Sequence, residues 1–170
     1  MNFDPVFLFK IENRLYFRIK SSFMFSQATK YAIKSVIYIW TQSMQDKKVG
    51  AREIGTEIDA PEAFTAKILQ TLVKAKIIGS QKGPNGGFYT DESHTKVTLK
   101  DVVRAVEGDE LFAGCSLGLP KCSEKNPCPL HFEVVAVRKQ IDHMLTSKSI
   151  KLLAVEVIKG NSSLSDLELF

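Results

Sequence analysis

Three cysteines and a histidine lie close together in the second half of the chain. Cys115, Cys122, Cys128 and His131 have the spacing Cys-x6-Cys-x5-Cys-x2-His. Thiolates and imidazoles are ligands of zinc and of iron–sulfur clusters. A compact zinc knuckle usually brings paired ligands two residues apart, and only the last pair here has that separation. The wider spacings, on a loop that contains glycine and proline, therefore favour a larger group such as a cluster.

Two other interpretations of the same residues stay open. The cysteines can serve directly as zinc or redox ligands, or they can be three unrelated thiols that pack as small hydrophobic side chains. The neighbours of the cysteines are polar, including Lys121, Ser123 and Glu124, which makes deep burial of the thiols a poor fit.

A fourth ligand is required if the group is a 2Fe–2S cluster, because such a cluster takes four protein ligands. His131 follows Cys128 by three residues at the start of a predicted helix, and one helical turn brings positions three apart to the same side. The spacing thus predicts His131 as the fourth ligand. The alternative is a histidine that caps or packs at the start of the helix.

A second set of candidate residues lies on a helix predicted from Pro61 to about Lys76. Its apolar positions fall on one side of a helical wheel and its polar positions on the other. The apolar side consists of Phe64, Ile68, Leu69, Leu72 and Val73, and the polar side of Ala63, Lys67, Gln70, Thr71 and Lys74. Cations and amides on such a helix contact phosphates and base edges in the major groove of DNA. The alternative is an ordinary solvated helix face.

A hairpin follows this helix. Asn85-Gly86 is a strong turn signal, because both residues tolerate the positive φ angles of a tight hairpin turn. Lys82, just before the turn, is placed to reach a phosphate or a narrow minor groove. Two further helices are predicted before Pro61, starting at Ser26 and Ala51. Three helices and then a hairpin is the order of a winged helix-turn-helix, so the predicted fold class is mainly α with a small β wing.

Composition limits the other possibilities. The chain has 170 residues, 44% of them hydrophobic and 25% charged, which excludes a mainly disordered chain, a collagen-like fibre and a disulfide-dense small protein. No apolar run approaches the roughly 18 residues of a membrane span, and the first 22 residues are too interrupted by charges for a signal peptide. We therefore expect a cytoplasmic protein without a membrane partner. No motif indicates an enzyme.

These features together resemble a known family, the IscR/NsrR-type winged-helix transcription regulators of bacteria. The resemblance extends from about Met24 to Ile158. It rests on Ser-Gln-Ala-Thr-Lys-Tyr-Ala at 26–32, Pro-Glu-Ala-Phe-Thr-Ala-Lys-Ile-Leu-Gln-Thr-Leu at 61–72, Lys-Gly-Pro-Asn-Gly-Gly-Phe at 82–88, Thr-Leu-Lys-Asp-Val-Val at 98–103 and the three cysteines. The string at 82–88 is the most distinctive of these.

The resemblance implies a cytoplasmic regulator that binds double-stranded DNA at a pseudo-palindromic operator. It implies an iron–sulfur cluster, with 2Fe–2S as the expected type and 4Fe–4S as the alternative, and it supports His131 as a ligand. The residues expected to contact DNA are Lys30, Tyr31, Thr65, Lys67, Gln70, Thr71, Lys82 and Asn85. The first cysteine gap is one residue longer than the familiar pattern, so the cluster type stays open.

The resemblance also implies a homodimer formed by a long helix after the cysteine loop. Its candidate dimer or core residues are Phe132, Val135, Ile141 and Leu145. The chain then divides into an N-terminal extension (1–23), a winged helix-turn-helix domain (24–107), a cysteine-rich sensor loop (108–129), a dimerisation helix region (130–158) and a tail (159–170). Two alternative functions are a cluster-free regulator with zinc or redox cysteines and a protein-interaction or metal-delivery module that binds no DNA.

Overall fold

The computed structural model describes residues 24–109 and 112–164, so the expectations for the N-terminal extension lie outside the described residues. Six α-helices and two short strands make up this part of the chain. They are α1 (Gln27–Ser43), α2 (Ala51–Glu57), α3 (Glu62–Lys74), β1 (Gly79–Gln81), β2 (Gly87–Tyr89), α4 (Leu99–Glu107), α5 (His131–Thr146) and α6 (Ile150–Ile158). A single 3₁₀ turn, Glu92–His94, precedes α4.

The central element is α1, which packs against α3, α4 and α6. It begins where the Ser26 hydroxyl accepts a hydrogen bond from the backbone N–H of Thr29 (3.2 Å), which satisfies one free donor of the first turn. Ala32, Val36 and Ile39 recur at helical spacing and are fully buried. The apolar periodicity of this segment therefore places α1 through the middle of the core.

Helices α2 and α3 form the helix-turn-helix. The turn is tight because Gly55 lies against the loop: a Cβ there would be 2.9 Å from the Ala60 carbonyl oxygen. The sequence predicted that α3 would continue to about Lys76, but the helix ends at Lys74. The cause is local, since Lys76 has a φ of +58°, a left-handed conformation that a helix cannot continue through.

The wing consists of β1 and β2, which pair antiparallel with Ser80 opposite Phe88. Val49, before α2, adds a bridge to Phe88 through two backbone hydrogen bonds of 2.9 and 3.1 Å. The hairpin was predicted, but the predicted turn geometry is wrong. Positive φ occurs at Gly83 and Gly87 rather than at Asn85 and Gly86.

Gly86 is instead required by close packing of the backbone. A Cβ at this position would lie 2.2 Å from the Gln81 carbonyl oxygen and 2.9 Å from that of Gly83. Its own N–H donates to the Gly83 carbonyl (2.9 Å). At position 86 the turn thus needs glycine because a side chain has no space there, and not because the backbone is left-handed.

The last helices position the cysteine loop. A reciprocal cap at Thr98 and Asp101 starts α4, with the Thr98 N–H donating to the carboxylate (2.8 Å). An ion pair between Lys100 and Asp142 joins the start of α4 to the end of α5. Ser149 caps α6, which returns to pack on α1. In the described residues, none of the helices is long and apolar enough to cross a membrane.

Candidate metal centre and nucleic-acid interface

The three cysteines converge on one point in the loop between α4 and α5. Their sulfur atoms all lie within 4.8 Å of one another, and those of Cys115 and Cys128 are 3.7 Å apart. All three are free thiols and half-buried. Cys115 and Cys128 are 13 positions apart in the sequence, so the fold of the loop brings their sulfur atoms together.

His131, the first residue of α5, faces the same point. Its Nδ1 lies 3.2 Å from the sulfur of Cys122, and its Nε2 is buried with no hydrogen-bond partner among the described residues. The sequence spacing predicted that His131 would lie on the same side as Cys128, which is one helical turn before it. The structure places it in contact with Cys122 instead, while its backbone N–H bonds to the Cys128 carbonyl (3.0 Å).

The ligand atoms form two close pairs. Two thiolates bound to one tetrahedral ion, each at about 2.3 Å, are about 3.8 Å apart, which matches the 3.7 Å between Cys115 and Cys128. The second pair is Cys122 with His131. A cavity of about 30 Å³ is lined by all four of these residues. The donor set therefore fits a thiolate-bound and imidazole-bound metal group.

The loop shifts the pKa values of two of the thiols in opposite directions. Backbone N–H groups of Leu119 and Leu117 donate to the Cys115 sulfur and lower its pKa from 9.0 to about 7. The pKa of Cys122 is raised: the Cys128 N–H favours its thiolate, but partial burial and the adjacent Cys128 and Cys115 sulfurs outweigh that contribution. In the metal-free loop, Cys115 thus ionises before Cys122.

The polar side of α3 is exposed as predicted. Lys67, Gln70 and Lys74 are all exposed, whereas Thr71 is half-buried and its hydroxyl donates to the Lys67 carbonyl (3.2 Å). Lys82 and Asn85 are exposed on the wing. A groove of about 390 Å³ separates α3 from the wing, with Val73 and Phe88 in its lining. Cations and amides from both elements therefore border one groove.

Two predicted site residues are buried. Thr65 is 0% exposed, and its hydroxyl donates to the Pro61 carbonyl (3.1 Å), so it stabilises α3 and cannot touch DNA in this conformation. Leu145 is also 0% exposed and belongs to the core, not to an outer face of α5. The burial of Thr65 does not fit the predicted DNA contact, and the burial of Leu145 fits the core rather than the dimer alternative, because a spacing pattern does not distinguish the two edges of a helix face.

The structure also adds residues that the sequence reasoning missed. Phe64, on the apolar side of the predicted helix, is 40% exposed, and its ring lies edge-on to that of half-buried Tyr31, with 6.0 Å between the ring centres. Lys48 donates to the Gln81 amide oxygen (2.5 Å) and lies 5.6 Å from the centre of the Tyr89 ring. Lys48 sits in a polar stretch between helices, which carried no periodic signal. Lys30, also predicted to contact DNA, is half-buried.

Several apolar side chains of α5 are exposed. Phe132 is 62% exposed, Val137 54% and Met144 43%, whereas Val135 and Ile141 are half-buried. A groove of about 390 Å³, lined mainly by apolar side chains of α5, runs along this helix. Large exposed apolar side chains in contiguous patches commonly mark interaction surfaces.

Three helices followed by a wing define a winged helix-turn-helix protein, and comparison with known proteins gives the family. Residues 25–156 match the model of the Rrf2 family, described as iron-dependent transcriptional regulators. The match covers well over half of the chain. The chain belongs to the Rrf2 family of transcriptional regulators.

Individual relatives agree with this assignment. The chain is 30% identical over 130 residues to a protein of Aquifex aeolicus (strain VF5) named as an HTH-type transcriptional regulator, which covers 75% of this chain and 89% of that protein. It is 24% identical to the HTH-type transcriptional repressor NsrR of Streptomyces coelicolor, over 60% of this chain and 64% of the repressor.

Solved structures agree on the fold. CymR, described as the global cysteine regulator of B. subtilis, superposes with a TM-score of 0.65 at 16% identity and covers 79% of this chain and 98% of its own. IscR of T. potens superposes with a TM-score of 0.62 at 17% identity and covers 81% of this chain and 90% of its own. The mainly α fold with a small wing is therefore confirmed.

Proposed function

We propose that this regulator binds pseudo-palindromic duplex DNA as a homodimer, and that an iron–sulfur cluster held by Cys115, Cys122, Cys128 and His131 controls its affinity for the operator. The observation that carries the proposal is the convergence of three free thiols, one of which, Cys122, lies against Nδ1 of His131. Nε2 of the same ring is buried and has no partner among the described residues. A buried polar atom without a partner is unusual in a folded protein and is explained when a ligand meets it.

Three thiols and one imidazole supply the four protein ligands that a two-iron cluster takes. Cys115 and Cys128 form one pair and Cys122 and His131 the other, and each pair is suited to share one tetrahedral metal ion. When bound, such a cluster supplies one-electron redox chemistry. The loop residues hold and shield it, and the imidazole in place of a fourth thiolate raises its reduction potential.

The DNA-binding part of the proposal rests on α3 and the wing. Lys67 and Gln70 are exposed on α3, where side chains reach base edges once the helix enters the major groove. Lys82 on the wing, and Lys48 beside it through Gln81, are exposed cations suited to phosphate contacts. Base contacts supply sequence preference, whereas phosphate contacts supply affinity and salt dependence.

The homodimer rests on the apolar side of α5. Phe132, Val137 and Met144 leave a large apolar surface in water, and burying it against the same surface of a second copy gives a twofold-symmetric interface. A twofold dimer carries two wings, which suits an operator with two half-sites. The half-buried Val135 and Ile141 lie on the same helix and complete the proposed interface.

Control of DNA affinity follows from how the loop is attached. The loop leaves α4 directly after Glu107, whose carboxylate accepts a hydrogen bond from the backbone N–H of Ser26 at the start of α1 (2.9 Å). It re-enters the fold at His131, the first residue of α5. A change at the cysteines therefore acts on α1 and α5 together and shifts the population of DNA-binding conformations.

A second candidate group is a single zinc ion. The close approach of all three sulfurs, within 4.8 Å, and the 3.7 Å between Cys115 and Cys128 suit one tetrahedral ion with three thiolates and an imidazole. The DNA-binding part of the proposal is the same for both groups, but the chemistry of the sensed signal differs.

Anaerobic purification tests these alternatives. Iron, sulfide and zinc are measured per chain, with an absorption spectrum, and DNA binding is titrated against salt before and after removal of the group. We expect two irons and two sulfides per chain and a change in DNA affinity on removal. One zinc per chain without sulfide favours the second candidate, and affinity for promoter DNA that does not fall with salt contradicts a DNA-binding role.

A further inference from the structure

A groove of about 640 Å³ lies between α4 and α5, next to the first residues of the cysteine loop. It shares Val135 and Arg138 as a wall with the cavity at the cysteines. Its volume falls in the range of small-molecule sites, roughly 300–1,000 Å³. Apart from this shared wall, and from Val135 in the proposed dimer interface, the lining has no role assigned in DNA binding, dimer formation or metal binding.

The lining of the groove carries an excess of positive charge. Two cations are already neutralised, because Lys100 pairs with Asp142, and Arg104 with Asp109 at 2.6 Å. Two further cations also line the groove, and they are the neighbouring α5 residues Arg138 and Lys139. Within residues 24–109 and 112–164, neither of these two forms an ion pair with a carboxylate.

Arg138 is held in position for a ligand. One of its guanidinium nitrogens donates to the Gly114 carbonyl (2.5 Å), which fixes the side chain against the loop. A guanidinium has five N–H donors in a rigid planar arrangement, so donors remain for a second acceptor. Lys139 adds an exposed ammonium beside it.

Part of the remaining wall is apolar, and His143 and Thr146 also line the groove. Phe112, Ala113 and Val135 line the groove. The ammonium of Lys100 lies 5.3 Å and the guanidinium carbon of Arg104 5.6 Å from the centre of the Phe112 ring, so the ring is fixed between two cations. A mixed wall of this kind has a place for an apolar body and a separate place for a negative charge.

We propose that this groove binds a small organic anion, with a carboxylate, sulfonate or phosphate group on Arg138 and Lys139 and an apolar or aromatic body against Phe112 and Val135. Such a ligand touches α4, the loop and α5 at once and is a second input to the regulator. The inference does not depend on the proposed function, since it requires neither a metal group nor an operator.

Calorimetric titration with 1-naphthoate tests the charge requirement. The neutral analogue 1-naphthalenemethanol has the same ring system without the carboxylate. We expect one naphthoate per chain, and affinity for the alcohol lower by at least about tenfold, because a charge-assisted contact is lost. Equal affinity for the two compounds would show that the groove is merely apolar and would overturn the proposal.

Variants of the full-length chain locate the site. We expect Lys139→Gln to weaken naphthoate binding and Arg138→Gln/Lys139→Gln to weaken it further, to at least about tenfold overall. Lys139 forms no internal ion pair among the described residues, so its single variant keeps the test valid if loss of Arg138 disturbs the loop. Lys47→Gln/Lys159→Gln, which removes two exposed cations elsewhere, should bind as the unmodified protein does. Unchanged binding in both groove variants would place the anion elsewhere and refute the inference.

Discussion

Nδ1 of His131 lies 3.2 Å from the sulfur of Cys122, while Nε2 of the same ring is buried and has no partner among the described residues. Among the described residues, the one polar contact of this ring is therefore with a cysteine sulfur. A histidine that merely capped α5 would direct a nitrogen to a free backbone group or to water. This relationship makes His131 the most informative residue to change.

Replacing His131 tests the fourth ligand. We expect His131→Ala to lower the iron content and to change the electron paramagnetic spectrum of the reduced protein, because one of four ligands is lost. His131→Cys should keep the iron and lower the reduction potential, since thiolate replaces imidazole. The matched control is His143→Ala, which removes an exposed histidine from the same helix. Identical spectra for His131→Ala and the unmodified protein would place the ligand elsewhere.

The cations of α3 and the wing should have separable effects on DNA binding. Lys82→Ala should weaken binding to all sequences and reduce the salt dependence by about one phosphate contact. Gln70→Ala or Lys67→Ala should change preference among sequences by about 1–3 kcal/mol if a base pair is read. Lys96→Ala is an exposed-lysine control. Competition binding with operator and random duplexes measures both effects, and three unaffected variants would contradict the assigned face.

Gly86 should be intolerant of any side chain. Because a Cβ would lie 2.2 Å from the Gln81 carbonyl oxygen, Gly86→Ala must displace the backbone of the wing, at a cost of about 1–3 kcal/mol. Gly50→Ser is the comparison, since nothing lies within 4 Å of a Cβ there and serine is a good cap for α2. Denaturant unfolding measures the difference. Equal stability of the two variants would mean that the turn relaxes freely.

Glu107 should make folding dependent on pH in the acid range. Its partial burial raises the pKa, but hydrogen bonds from the Thr29 hydroxyl and from the N–H and hydroxyl of Ser26 outweigh this and lower the pKa below its usual 4.5. The stability that Glu107 contributes to the folded state is therefore present above about pH 4.5, and it is lost as pH falls through the lowered pKa. We expect Glu107→Gln to cost about 1 kcal/mol at neutral pH and to reduce the acid dependence of unfolding. Glu124→Gln, in the exposed loop, should change neither.

Cys115 should react before Cys122 in the metal-free protein. With its pKa lowered to about 7, its thiolate forms as pH rises through neutrality, whereas Cys122, whose pKa is raised, ionises later. Iodoacetamide labelling followed by peptide mass spectrometry at several pH values measures this order. Labelling of Cys122 ahead of Cys115 near pH 7 would show that the Leu117 and Leu119 N–H groups do not support the thiolate.

Much of the fold could be predicted from local sequence signals. The Ser26 cap, the Thr98–Asp101 cap and the apolar periodicity of α1 and α3 are short-range features, and each gave an element of the predicted type. The turn geometry was missed because Asn-Gly favours positive φ only in a two-residue turn. Here β1 ends at Gln81 and β2 begins at Gly87, so the turn between them is longer than two residues. The positive φ values occur at Gly83 and Gly87.

The candidate site was predictable in its residue types and not in its arrangement. Spacing identified the cysteines and His131, but loop folding alone determines that His131 meets Cys122 rather than Cys128. Burial of Thr65 and exposure of Phe64 depend on how α3 is rotated against α1 and α2, which a single helix pattern does not specify. The contact of Lys48 with Gln81 joins positions 33 apart and had no local signal.

The attachment of the cysteine loop has a consequence for protein engineering. Its two ends leave neighbouring helices that are already joined by the Lys100–Asp142 ion pair, and Arg138 fastens the loop to α5 through the Gly114 carbonyl. An insertion whose ends are close together adds little closure entropy to the host fold. Residues 115–128 are therefore an exchangeable cassette: a loop that recognises another metal or ligand can be grafted there, and the wing domain would then report on a new signal.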